Sequence, residues 1–474
     1  MNTKSYIFLI VVLQLLIAAC KTTDKALDTV KTAPLPTQFR NDTLAETGDT
    51  SSIAQLAWRD FFTDPVLQQL IDTALHHNID MQLALKNMEA AQLTLRQAKA
   101  GYLPDIQLQI NANTSRPSDN SLNGLSLNEF LGSKHIEDYT AAVALSWEAD
   151  IWGKIKNQKA AALAQYLQTT EAKRAVQTRL IAQIARGYYQ LLMLHEQLAV
   201  AKKNLALNDS TLNIMEQQYK VGEITLLGFE QAEAQRLSAA ALIPDFQQQI
   251  NIQENALSIL SGKLPVGIAT ITHLDQVTWP KQVRVGVPAQ LLSRRPDVKH
   301  AELAVVAAQA NQKVARANMY PSLTISAQAG VNAFKASNWF NIPASLFGTA
   351  LGSVTQPILQ RKQLKTAYRL AAVEQEKTVI QFRQSVITAV GEVSDALIAL
   401  DKLKAKERIA TNRTDKLQDA IHHADLLFDT GSANYLEVIT AQSNALQSEL
   451  ELAQIKKAQL AAMVDLYRSL GGGW

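Results

Sequence analysis

Four stretches of the chain alternate apolar and polar residues with period two. After Pro104, Ile106, Leu108, Ile110 and Ala112 alternate with Gln107, Gln109, Asn111 and Asn113. After Pro321, Leu323, Ile325, Ala327, Ala329 and Val331 alternate with Thr324, Ser326, Gln328, Gly330 and Asn332. Tyr139, Ala141, Val143, Leu145 and Trp147 form a third such face, and Phe347 to Gln356 a weaker fourth. Period two predicts strands with one apolar and one polar face. The expected strands are 104–113, 139–147, 321–331 and 347–357. Each is about 10 residues, the length that crosses a bilayer as a tilted strand. The Gln and Asn side would face a wet lumen and the aliphatic side lipid. Tyr102, Trp147, Trp152 and Tyr320 fall near strand ends, where barrels concentrate aromatic girdles. The competing reading is a soluble antiparallel sheet packed on one side. Four strands cannot close a barrel, because small single-chain barrels have about eight. Open edges must pair with other copies. Two copies would supply eight strands and three would supply twelve.

A second period dominates the rest. Leu191, Leu198, Leu205, Leu212 and Tyr219 recur every seven residues, as do Leu194, Ala201, Asn208 and Met215. Val379, Val386, Val393 and Leu400 do the same beside Phe382, Ala389, Ala396 and Leu403. A third seam holds Ile439, Leu446, Ala453, Leu460 and Tyr467. Heptads predict left-handed coiled coils. Helices are expected over about 154–219, 226–262, 361–428 and 434–470, the longer pair reaching about 100 Å at 1.5 Å per residue. Gly222 and Gly431 stop the long helices as C′ glycines, making two tight turns at one end.

The chain also repeats itself. Asn78-Ile79-Asp80, Ala90-Ala91-Gln92, Ala98-Lys99-Ala100 and Pro104 recur 217 residues later, at Arg295-Pro296-Asp297, Ala307-Ala308-Gln309, Ala315-Arg316-Ala317 and Pro321. Tyr219-Lys220-Val221-Gly222 recurs as Phe428-Asp429-Thr430-Gly431 at an offset of 209. An internal duplication follows, with residues lost from the second half near its strand pair. Residues 63–262 and 295–474 are the two repeats. The Pro-rich stretch 263–294 connects them in an equatorial belt, to which 65–77 and the chain after the last helix are also assigned.

The N-terminus reads as an address. Lys4 precedes an apolar run from Tyr6 to Ala19 that is too short to span a bilayer as a helix, so 1–19 is read as a signal peptide. Leu16-Ile17-Ala18-Ala19-Cys20 resembles the bacterial lipobox, which implies a covalent lipid on Cys20. An ordinary signal peptide with a chance Cys is the alternative. Lys21 in the second mature position favours the outer membrane by resemblance to bacterial sorting rules. Residues 20–62 form a lipidated tether.

Composition narrows the classes. The chain has 474 residues, one Cys and a formal net charge of +3. It is too apolar for disorder, and one Cys excludes a disulfide framework. Near-neutral charge gives no reason to expect nucleic acid. There is no Gly-x-x-x-x-Gly-Lys-Ser/Thr loop and no acid–base constellation, so no enzyme is expected. His76-His77 and His422-His423 are adjacent pairs that diverge on a helix, so no metal site is expected either. No cofactor is implied.

The lipobox, the duplicated hairpin-and-helix unit, Arg295-Pro296-Asp297-Val298, the junction Trp147-Glu148-Ala149-Asp150-Ile151-Trp152-Gly153-Lys154 and the ending Leu466-Tyr467-Arg468-Ser469-Leu470-Gly471-Gly472-Gly473-Trp474 together resemble the TolC-like outer-membrane efflux factors. The lipoprotein branch called the NodT or OprM type is the best fit. The resemblance covers essentially the whole mature chain. It implies an α+β membrane protein: a homotrimer whose twelve strands form one shared transmembrane β-barrel that continues into a periplasmic α-helical coiled-coil barrel. It implies a periplasmic adaptor and an inner-membrane pump, commonly of the resistance-nodulation-division type. The protein would be a passive exit duct at the outer membrane, reaching into the periplasm.

Family members constrict at the periplasmic tip, often with acidic side chains. The matching positions here are Glu230 and Glu437, beside Gly222 and Gly431. A ring of three carboxylates would attract cations and repel anions. Alternatively, both glutamates are solvated residues that favour a helix N-terminus. Ala433 lacks the basic partner and Gly228 the acid of a salt-bridge lock. Two other functions compete: the duct of a protein-secretion system, and a coiled-coil spacer lipoprotein without a pore, which would have no need of alternating strands.

Overall fold

The computed structural model describes residues 36, 38–40, 52–278 and 284–474. Gln38–Trp474 form one unit by themselves. The signal peptide and Cys20 lie outside the described residues.

Each half runs helix, strand hairpin, long helix, return helix. The first half comprises α1 (Pro65–His77), α2 (Ile79–Ala100), β1 (Asp105–Ser115), α3 (Leu122–Leu131), β2 (Ile136–Ala149), α4 (Lys154–Lys220) and α5 (Leu226–Leu260). The second comprises α6 (Pro296–Ala317), β3 (Ser322–Ala333), β4 (Leu346–Thr355), α7 (Gln363–Asp429) and α8 (Tyr435–Ser469). α2 maps on α6 at offset 217, and α4 and α5 map on α7 and α8 at offset 209. The loop from 116 to 135 has 20 residues and that from 334 to 345 has 12. That difference of eight equals the drop in offset, so the lost residues come from the loop joining β3 to β4.

Both long helices begin where the chain reverses out of the sheet through a left-handed residue. Gly153 takes φ 72° before α4, where the Asp150 carboxylate accepts the N–H groups of Ile155 at 2.9 Å and Lys156 at 2.8 Å. Before α7 the same geometry falls on Arg361 and Lys362, at φ 50° and 65°. α7 therefore starts at Gln363, two residues later than the expected start at 361.

At every level the helices form one layer four helices wide. Nearest the sheet the order is α2, α4, α6, α7; toward the tight turns it is α5, α4, α8, α7. α4 and α7 run through both levels. The other two columns are composite, with α5 meeting α2 and α8 meeting α6 end to end. The joints are built alike. The Asn78 side chain caps α2 and donates to the Leu260 carbonyl at 2.9 Å. At the matching place Arg295 donates to the Ser469 carbonyl at 3.2 Å. Gly262 sits so close to His77 that a Cβ would lie 2.2 Å from its carbonyl oxygen, and Gly471 approaches the Arg294 carbonyl in the same way, at 2.7 Å. Only glycine fits where two helix ends abut this tightly.

The main core lies around these joints. Phe61 stacks on Tyr467 with ring centroids 4.1 Å apart, Tyr467 donates its hydroxyl to the Leu56 carbonyl, and the buried Tyr188 hydroxyl donates to Asp64 at 2.9 Å. The connection crosses the layer here: the Ile268 N–H reaches Glu254, and Asp275 pairs with Lys456. Trp474 donates to the Arg294 carbonyl and lies under the Arg174 guanidinium.

Candidate functional site: sheet, tip and joints

The sheet order is β1-β2-β3-β4, all antiparallel. Residues opposite one another share a face, and the register makes continuous rows. Ile106, Leu145, Ala327 and Ala350 form one row, and Leu108, Val143, Ala329 and Gly348 the next. The opposite face carries Gln107, Ala144, Gln328 and Thr349, then Asn111, Thr140 and Asn332. A shift of one residue in any strand would mix the faces. Among the described residues no helix packs more than marginally on the sheet. Ile106, Leu108, Ile110, Val143 and Val354 of the apolar face are exposed, and the outer edges of β1 and β4 have no partner strand within the described chain. A soluble one-sided sheet would bury its apolar rows; this one leaves them bare.

Aromatic residues mark both ends. On the helix side Trp147 donates to the Tyr102 carbonyl at 2.9 Å, and Trp152 donates to the Pro321 carbonyl at 2.7 Å while stacking on Tyr320. On the far side Tyr139 packs against Trp339 with centroids 5.4 Å apart. Among the described residues no helix is long and apolar enough to cross a membrane.

The two tight turns meet at the tip. After α4, Gly222 (φ 79°) donates to Tyr219 and Glu223 donates to Gln218; after α7, Gly431 (φ 71°) donates to Phe428 and Ser432 donates to Leu427. These are paired Schellman caps, which use otherwise orphaned carbonyls. The return helices are capped by Thr225 and by Asn434, whose side chain accepts from Leu436 and Glu437. A small cluster of Met215, Ala232, Phe428 and Val438 ties the two hairpins together. Gly228 is buried under the Tyr435 ring, and the Tyr435 hydroxyl donates to Gln231 at 2.8 Å. Glu230 and Glu437 are both exposed, and neither carboxylate has a partner among the described residues of one chain.

Sequence reasoning treated Arg295 only as part of a motif. It is a buried hub. Its guanidinium reaches Asp297 at 2.6 Å, Glu392 of α7 at 2.8 Å and the Ser469 carbonyl, and Glu392 is shared with Arg468. Burial alone would raise the Asp297 carboxyl. Its hydrogen bond and charge contact with Arg295, helped by backbone N–H groups, hold it below its ordinary value. The free edge of α7 was missed as well. Val373, Ile380 and Ile387 recur every seven residues beside the predicted seam and remain exposed. The doubled width of that apolar stripe was the available signal.

His76 and His77 each bond a backbone carbonyl four residues back, with their rings 6.4 Å apart. No group of three or more His, Cys, Asp or Glu stands ready for a metal among the described residues.

A family model described as "Outer membrane efflux protein" matches residues 70–263 and again 287–472. The chain belongs to the outer membrane efflux protein family. The two matched blocks follow the duplicated halves. The toluene efflux pump outer membrane protein TtgF of Pseudomonas putida is 30% identical over 423 residues, covering 89% of this chain and 86% of that protein. The probable outer membrane lipoprotein SilC of Salmonella typhimurium is 27% identical over 442 residues, 93% of each. The crystal structure of a membrane protein from Pseudomonas aeruginosa superposes with a TM-score of 0.83 at 26% identity, covering 93% of this chain and 98% of that one. This efflux protein is therefore an outer-membrane exit duct of a tripartite efflux system, with the α+β tunnel fold of TolC-like channels. Its relatives are channels and efflux components rather than enzymes.

Proposed function

We propose that three copies of this chain close one barrel of twelve strands, edge β1 of each copy pairing with edge β4 of the next. The helix layers would close beneath it into a tunnel of twelve helices at every level. The observation that carries this reading is that sheet and helix layer are open at both edges in the same order, with β1 and the α2/α5 column on one side and β4 and α7 on the other. A continuous apolar face then meets lipid, and a row of amides and hydroxyls faces water. Residues 1–19 would be removed as a signal peptide, 20–62 would tether the tunnel through a lipid on Cys20, 63–262 and 295–474 are the two repeats, and 263–294 lies in the belt. The partners are a periplasmic adaptor and an inner-membrane pump of the resistance-nodulation-division type. A duct without its own energy source needs a pump to drive export.

The gate would lie at the tip, where Gly222 and Gly431 turn the helices and three copies of Glu437 and Glu230 come together. Unpartnered, exposed carboxylates beside helix N-termini are placed to meet passing ions. Single-channel recording of the purified trimer in a planar bilayer tests the duct: conductance is expected, and its absence after the tip is loosened would refute it. Glu437→Ala should weaken cation preference. Unchanged conductance and selectivity would remove Glu437 from the gate. Cys20→Ser should end incorporation of labelled palmitate, and retained label would refute the anchor.

A further inference from the structure

A cavity of about 490 Å³ opens between α5 and α8, floored by α4. Its apolar part is Met193, Phe246, Leu450 and Ala458. Around it stand the side chains of Gln190, Gln249, Gln454 and Lys457. Gln197 is also in the wall, but it already donates to the Leu450 carbonyl at 3.2 Å. The other three amides and the ammonium have no partner among the described residues. The neighbouring Lys456 is different: it turns to another face of α8 and pairs with Asp275 of the connection. So the cavity and the connection occupy different faces of that helix.

The charge arrangement is one-sided. Burial, and then the charge of Arg186, lower the Lys457 pKa, and the carboxylate nearest Arg186 is engaged with it, at 2.9 Å from Asp465. A half-buried ammonium beside a second cation, with no carboxylate of its own, is a position that a bound anion relieves. Amides supply donors that are indifferent to the anion's exact shape, and the thioether, phenyl and leucine floor accepts a ring or a short chain.

We infer that this cavity is a binding site for a small organic carboxylate with an apolar body, its carboxylate on Lys457 and the Gln amides, its body on Met193 and Phe246. For its role it rests on the duct reading: a connection inside an open bore would obstruct it, so the cavity lies on the bore side, and each tunnel carries three such sites. Binding itself is measurable without conduction.

The test uses the full-length protein in detergent and sodium 4-(trifluoromethyl)benzoate, followed by ¹⁹F NMR against empty micelles. Saturable binding is expected. Lys457→Gln should weaken it about tenfold, the loss typical of a charge-assisted contact. Met193→Trp should fill the floor and abolish it, with oligomer size and helical content unchanged. The uncharged amide of the same probe and 4-(trifluoromethyl)benzylammonium should bind at least about tenfold more weakly. Absence of saturable binding, equal binding by Lys457→Gln, or equal binding of the amide or the cation would each overturn the assignment. None of these outcomes bears on conductance, so a failure here leaves the duct reading standing on its own test.

Discussion

Arg295 is 4% exposed, yet it carries a full charge. Such a group survives only because every face of the guanidinium is used: two carboxylates and one carbonyl take its donors. Removing it strands those acceptors. Arg295→Ala should cost about 3 kcal/mol, the low end for breaking a buried pair because Asp297 and Glu392 keep access to water. It should lower the thermal midpoint followed by circular dichroism. Arg295→Asn, which copies Asn78 in the other half, should recover part of the loss. The network is also acid-sensitive in a definite direction. The Asp297 pKa lies below its ordinary 3.8, so its contribution is whole above 3.8 and disappears as the pH falls through the lower folded value. The gap in midpoint between wild type and Arg295→Ala should therefore narrow in strong acid. An unchanged gap would show that Asp297 is a bystander.

Single elements explain where helices stop. Gly222 and Gly431 are legible in the sequence because a C′ residue with positive φ strongly favours glycine. Alanine at either position costs about 1–2 kcal/mol through its Cβ. No atom lies within 4 Å of either absent Cβ, so the cost is backbone strain and nothing else. Gly222→Ala and Gly431→Ala should therefore speed amide exchange at the tip while leaving the thermal midpoint nearly fixed. A fall in the midpoint as large as that of Arg295→Ala would refute this local reading. Gly262 and Gly471 were not legible in the same way. Each meets a carbonyl from a residue far away in sequence, and no local pattern reports that contact. The heptads fared unevenly for a geometric reason. Leu194, Ala201, Asn208 and Met215 are all buried, whereas the row from Leu191 runs out to an exposed Tyr219. A near-straight helix drifts about 20° per heptad, so two rows cannot both stay inside over its whole length.

The unit from Gln38 to Trp474 is a layer with two unsatisfied edges. Ile380 and Ile387, 68% and 56% exposed, stand on the α7 edge. On the other edge Leu83, Leu93, Ile252 and Ile259 are likewise bare. Assembly of copies is expected to cover both. Ile380→Glu with Ile387→Glu should leave helicity unchanged and reduce the trimer to monomers by size exclusion with light scattering. A stable trimer from that variant would place the interface elsewhere.

The sequence alone determined most of what is periodic or repeated: the two-faced strands, the main heptad seams, the duplication with its shift in offset, and the glycine stops. Those features are local, because a period of two or seven needs only the neighbours along the chain. It also determined the family resemblance, through the order of its motifs. The tertiary structure decided what needs distant residues together. It set the register that aligns the apolar faces of four strands, the layer order in which α4 and α7 persist while the other columns are spliced, and the glycine and Arg295 joints at those splices. It also showed which stripes one chain leaves uncovered. The reason is that burial is a property of the pair: Ile380 and Val393 look alike along the chain, and only their neighbours in space make one an edge and the other core.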